Sequence, residues 1–177
     1  MIQLSKPIAL SFLAMIVMTP VRAQYDSLFM HNGIIEEAIV QQVLPGSISF
    51  RFKGEDAGRS MSKHAIRKIV YRSGRVELPS ASRNLPSDTA WSKVMILGTA
   101  AEAEGLRPIG EINSHTAFIN FHTSRSGEIK ARKKLQQQAA KLNCPFILIT
   151  VDREVMYGQI KFWGVVQHKL KAIAYTY

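Results

Sequence analysis

The sequence is short of cysteine, of acids and of recognisable catalytic motifs. One Cys in 177 residues excludes an intramolecular disulfide framework and a Cys-rich zinc site. Asp and Glu total 13 against 23 Lys and Arg, a formal net charge of +10. There is no Gly-x-Ser-x-Gly, no His-Glu-x-x-His, no P-loop and no Gly-x-Gly-x-x-Gly. These absences favour a non-enzymatic protein without a cofactor. No apolar run approaches eighteen residues, which argues against a polytopic membrane protein. What is present is globular: 46% hydrophobic and 20% charged residues, in a length suited to one domain or two small ones.

The first 23 residues have the order of a secretory signal peptide. Lys6 follows the amino terminus, residues 8–18 form a run that is apolar except for Ser11, and Pro20 ends it. Val21-Arg22-Ala23 then offers small or branched residues at the −3 and −1 positions of a peptidase site. As a helix that run spans only ~16 Å, about half of a ~30 Å hydrocarbon core, so cleavage is expected over anchoring. A mature chain starting at Gln24 has 21 basic and 13 acidic residues, since Lys6 and Arg22 leave with no acid. The expected location is therefore periplasmic or secreted. Nucleic acid, the default partner of a basic domain, is scarce there. Anionic lipid headgroups, lipopolysaccharide, cell-wall polymers or another envelope protein are the expected partners.

Residues 24–78 carry the period of strands. Strands are expected at 27–30, 34–43, 47–53, 67–71 and 76–78, with a single helical turn near 62–66. Asn32-Gly33 between apolar runs is a strong hairpin signal, and Ile48, Phe50 and Phe52 alternate onto one face. Short strands with tight turns predict a small barrel. Asp26, Asn32-Gly33, Ser62-Lys63, Ile66, Ile69, Tyr71 and Gly74 form a pattern that resembles a short β domain. That domain stands at the amino terminus of many exported bacterial envelope proteins of unknown function and is similar to SH3-like and Sm-like barrels. The resemblance implies a fold and an envelope setting, and no catalytic residue.

Residues 79–90 hold two Pro and three Ser and are expected to form a linker. From 91 to 177 the expectation is an α+β module: one long helix on an antiparallel or mixed sheet. Strands are expected at 91–97, 106–112, 146–151, 159–167 and 170–177, and a helix over 128–143. Ile129, Ala131, Leu135, Ala139 and Leu142 give the helix its apolar stripe, Ser124 or Ser126 its cap, and Asn143 with Pro145 its stop. Gly110-Glu111-Ile112, Ala139-Ala140-Lys141-Leu142, Cys144, Phe146-Ile147-Leu148-Ile149, Gly164 and Ala172-Ile173-Ala174-Tyr175 resemble, more loosely, small α+β envelope domains. Some of those are labelled heavy-metal-binding, but the ligand residues such a label needs do not stand out in this chain.

The strongest polar feature is the outer face of that helix. Lys130, Lys133, Lys134 and Lys141 share one side, Arg125 and Arg132 lie near its start, and Glu128 is the only acid between Arg125 and Leu142. A helix needing only solubility interleaves Glu for i,i+4 support, so the one-sided charge points to an anion-binding face. The competing reading is a small metal-binding protein or hydrolase using His115 and His122, which His168 would have to join. A seven-residue spacing is no recognised zinc pattern. Cys144, between helix end and strand, reads as a packing residue. The carboxylate pairs Asp152/Glu154 and Glu102/Glu104 have no neighbours that suggest a polarised site.

Overall fold

The computed structural model describes residues 25–85, 87, 89–115, 124–157 and 165–177. The expected signal peptide, residues 1–23, lies outside them. Among the described residues the chain is α+β, with one α-helix and two mostly antiparallel sheets.

The first sheet holds β1 (Asp26–Met30), β2 (Ile35–Val43), β3 (Ser47–Phe52), β4 (Arg59–Ser62), β5 (Ile66–Val70) and β6 (Val76–Glu77). Their order is β4-β3-β2-β1-β5-β6. Two hairpins repeat one local device. In the first, Gly33 takes φ +89° and donates its N–H to Met30, while Asn32 Oδ1 accepts from Ile34 N at 3.0 Å. In the second, Gly74 at φ +85° donates to Tyr71 in the same way. Both are three-residue loops that need a left-handed residue before the returning strand. Leu28, Ala38, Ile48, Phe50, Ile66 and Ile69 fill the inner face, with Phe52 and Tyr71 partly buried against them.

This sheet is open, which corrects the expected barrel. No ladder joins β4 to β5. The sheet nevertheless curls. Ser62 to Ile66 is a connection of at most ~14 Å, whereas four strand spacings on a flat sheet would need about 19 Å. The three-residue 3-10 turn Lys63–Ala65 makes that connection, capped by Ser62, whose hydroxyl accepts from His64 N. Asp26, on β1 in the middle of the sheet, ties β2 to the β5–β6 turn. It is buried, and its two carboxylate oxygens accept from Val40 N and Arg72 N, each at 2.8 Å.

The second sheet has the order β7-β9-β10-β8: β7 (Met95–Leu97), β8 (Arg107–His115), β9 (Phe146–Tyr157) and β10 (Val165–Thr176). β7 pairs parallel to β9 and the other pairs are antiparallel, so the sheet is mixed. β10 runs unbroken past 168–169, where the sequence predicts a break between two strands; residues 158–164, most of the strand expected at 159–167, lie outside the described residues. Helix α1 (Ser124–Lys141) begins four residues before the expected start. It ends at Lys141, two residues before the expected end, through Asn143 at φ +54°, with Asn143 N bonded to Ala140 O and Cys144 N to Ala139 O. That is the Schellman pattern, and Asn is the residue after Gly that tolerates it best.

The helix buries Ala131, Leu135, Ala139 and Ala140 against Val94, Ile112, Ile147, Leu170, Ala172 and Ala174. Ser114 Oγ, itself buried, donates to Ala131 O at 2.8 Å, and Gln136 Nε2 donates to Val94 O at 2.9 Å. Two residues of the expected stripe are outside: Ile129 is 60% exposed and Leu142 48% exposed. At 100° per residue Ile129 sits about 160° around the axis from Ala131, so it cannot join a stripe built on i, i+4 and i+8.

A third cluster joins the two sheets. Ala65 packs with Leu97, Ala103, Leu106 and Phe146, and Met61, Tyr175 and Tyr177 close around them. Ser62 N donates to Glu104 O at 2.8 Å across the same boundary. Gly105, at φ +80°, passes so close to Met61 that a Cβ there would lie 2.6 Å from Met61 Cγ. Residues 79–90 are tied to both sides. Ser80 Oγ donates to Ile66 O at 3.0 Å, Tyr177 Oη accepts from Arg83 N at 2.6 Å, and Leu85 packs against the helix core.

Candidate functional site

The helical spacing carries Lys130, Lys133, Lys134 and Lys141 within an arc of about 100°. All four are exposed. Lys133 Nζ lies 4.6 Å from the centroid of the Trp91 ring, and Lys134 Nζ donates to His115 O at 2.9 Å. Lys141, Gln137, Thr89 and Trp91 border a shallow cavity of about 340 Å³. Ile129 is one turn before Lys133, so an exposed isoleucine flanks the lysines.

Arg132 does not belong to this arc. Its Nε bonds Glu128 Oε1 at 2.7 Å and its Nη2 lies 3.7 Å from Asp152 Oδ2. Asp152 thereby serves as an ion-pair partner on the neighbouring strand. Arg125 is in the first turn of α1, and its side chain lies outside the described residues. So do His122 and the His168 side chain. The register sets Lys169 opposite His115, with His168 opposite Glu154. Among the described residues no three His, Cys, Asp or Glu side chains gather as metal ligands. Cys144 is buried, its Sγ 3.4 Å from Leu142 O, and burial pushes its thiol above the ordinary range. A thiol held protonated is a poor nucleophile.

The sheet boundary builds a site that no sequence pattern announced. Lys63, His64, Ser80, Arg83, Asn84 and Lys93 line a cleft of about 440 Å³, with Leu85 and Pro79 among its apolar walls. Three segments meet there: the turn Lys63–Ala65, residues 79–85, and the turn Trp91–Lys93. Nothing local links those cations, which are spread over thirty residues of sequence. Arg83 is fixed at two points, its Nη1 donating to Lys93 O at 3.3 Å and its backbone N to Tyr177.

Two histidines sit on this boundary. The His31 ring stacks on Tyr177 at 4.5 Å and bonds Ser80 Oγ at 3.1 Å; the His64 ring packs on Phe146 at 5.5 Å. Both have pKa values below the ordinary 6.5. Burial is the main cause in each. Arg67 adds to it at His31, and Lys63 and Arg83 add to it at His64, where Glu102 pulls the other way. The unfolded chain therefore binds more protons between the folded values and 6.5. The histidines' contribution to stability is intact above about pH 6.5 and is lost as pH falls through the folded values. Thermal melts between pH 8 and pH 5 should show the midpoint falling on the acid side. The double variant His31→Gln, His64→Gln should flatten that fall; an equal slope in the variant would assign it to other groups.

Compared with known proteins, the chain matches no family model, no curated protein and no solved structure.

Proposed function

We propose that this is an exported, non-catalytic envelope protein that binds phosphate-bearing lipid surfaces through the outer face of α1. The observation that carries this reading is the lysine arc with exposed Ile129 beside it. Basic charge alone would suit any polyanion. A protruding apolar side chain beside the charges suits a lipid interface, where it can leave water as the lysines meet headgroups. Residues 1–23 support the envelope setting by their tripartite order. Among the described residues no helix is long and apolar enough to cross a membrane. Attachment to the surface is the mode proposed here.

Each lysine near an anionic leaflet contributes about 1 kcal/mol, so four together give roughly a thousandfold preference over a neutral surface. Protein processed by cells expressing the full chain should co-sediment with phosphatidylglycerol vesicles and not with phosphatidylcholine vesicles. Raising the salt should release it, because exposed charges are screened beyond ~8 Å at physiological ionic strength. Changing Lys130, Lys133, Lys134 and Lys141 together to Glu should reduce binding at least a hundredfold and leave the circular dichroism spectrum unchanged, since Ala131, Leu135 and Ala139 are untouched. Ile129→Ser should weaken vesicle binding severalfold without affecting binding to a soluble polyanion such as heparin. Full vesicle binding by the charge-reversed protein would sink the proposal.

A further inference from the structure

We infer that the cleft between the turn Lys63–Ala65 and residues 79–85 binds a small phosphorylated molecule of about the size of a sugar phosphate. This site is separate from the helix face, and the inference does not depend on the lipid reading.

Charge selects the ligand class. Lys63, Arg83 and Lys93 line the cleft, and among the described residues no carboxylate lines it. Among the described residues the acid that acts on His64 is Glu102, and its oxygens have other partners. Its Oε2 accepts from Gly98 N at 3.2 Å and its Oε1 from Thr99 Oγ1 at 3.4 Å. Three cations exceed what a single carboxylate would need and match the two negative charges of a phosphomonoester. Arg83 suits one edge of a phosphate through parallel N–H donors, and the lysines suit the remaining oxygens as point charges. Only one of its five N–H groups is used by Lys93 O. That bond and the anchoring of Arg83 N on Tyr177 limit its motion before any ligand arrives, so less ordering is left for binding to impose.

Size then adds the rest of the molecule. The cleft, at about 440 Å³, falls within the ~300–1,000 Å³ range of small-molecule sites. A bare phosphate would leave most of it filled by water. Ser80, Ser82 and Asn84 add hydroxyl and amide groups able to meet a polyol, and Pro79, Ala81 and Leu85 add apolar wall. His64 supplies a built-in reporter. Its ring is half-buried in the cleft, and Lys63 and Arg83 add to the burial that disfavours its protonation. An anion placed between those cations and the ring reverses that effect.

The experiment is a titration of the full chain, as expressed and processed by the cell, with glucose 6-phosphate, inorganic phosphate and glucose. Affinity is read by calorimetry and the His64 pKa by NMR, with His64→Gln used to assign the resonance. Glucose 6-phosphate is expected to bind at least tenfold more tightly than glucose or inorganic phosphate and to raise the His64 pKa. Arg83→Gln and Lys93→Gln should each weaken that binding at least tenfold. Lys93 is exposed, so its variant tests the site even where Arg83→Gln disturbs the packing of Tyr177. The protein with four helix lysines reversed should bind the sugar phosphate as well as the wild type does, which keeps failure of this site distinct from failure of the lipid reading. Inorganic phosphate binding as tightly as glucose 6-phosphate would overturn the assignment of a sugar-sized ligand. An unmoved His64 pKa, or full binding by Lys93→Gln, would overturn the site.

Discussion

Phe146→Ala is expected to lower the unfolding free energy by about 3–5 kcal/mol, the usual range for deleting a buried aromatic ring. That is a large part of the ~5–15 kcal/mol that holds a domain of this size. The ring is 1% exposed, packs on His64 at 5.5 Å and meets the edge of Tyr177 at 5.4 Å. Ala65, in the turn between β4 and β5, Leu97, on β7, and Ala103 and Leu106, in the connection before β8, share its cluster. The cavity left by Ala would open where the two sheets meet. Urea unfolding followed by amide exchange should show β1–β5 and β7–β10 losing protection together in the variant. If only β7–β10 lost protection, the two halves would be independent units joined by residues 79–90. Cleavage of the wild type at Arg83 would then release two folded fragments.

The second large effect is expected at Asp26. Asp26→Ala removes the acceptor for Val40 N and Arg72 N in a site where the carboxylate is only 5% exposed. A buried donor left unsatisfied costs about 1–3 kcal/mol, so the two together predict a loss of about 2–6 kcal/mol. Asp26→Asn keeps one oxygen acceptor and should recover about half of that. Urea midpoints of the three proteins measure the series. A loss below about 1 kcal/mol in the Ala variant would show that water replaces the carboxylate.

How much was legible in the sequence depended on the range of the cause. Asn32-Gly33, Gly74 and Asn143 each act within four residues, and the turns and helix stop stand where their residue types predict. Ile48 and Phe50 alternate into the first core because a strand has a period of two wherever it lies. β4, with the polar sequence Arg-Ser-Met-Ser, escaped notice: it is a strand because β3 offers it a hydrogen-bonding edge. The apolar stripe expected from helical spacing includes Ile129, yet α1 is rotated by where Ala131, Leu135 and Ala139 fit the sheet.

The sequence by itself determined the local geometry: hairpin loops, strand periods, one helix with its left-handed stop, and the lysine arc that helical spacing imposes. Only the tertiary structure decided that the first sheet stays open, because closure depends on whether two distant edges meet. It also decided that Ala65 and Phe146 share one cluster and that Lys63, Arg83 and Lys93 surround one cleft. Those residues are separated by tens of positions without period or motif. Their meeting is set by how two sheets pack, and packing is a property of the assembled surfaces, which no short window of sequence contains.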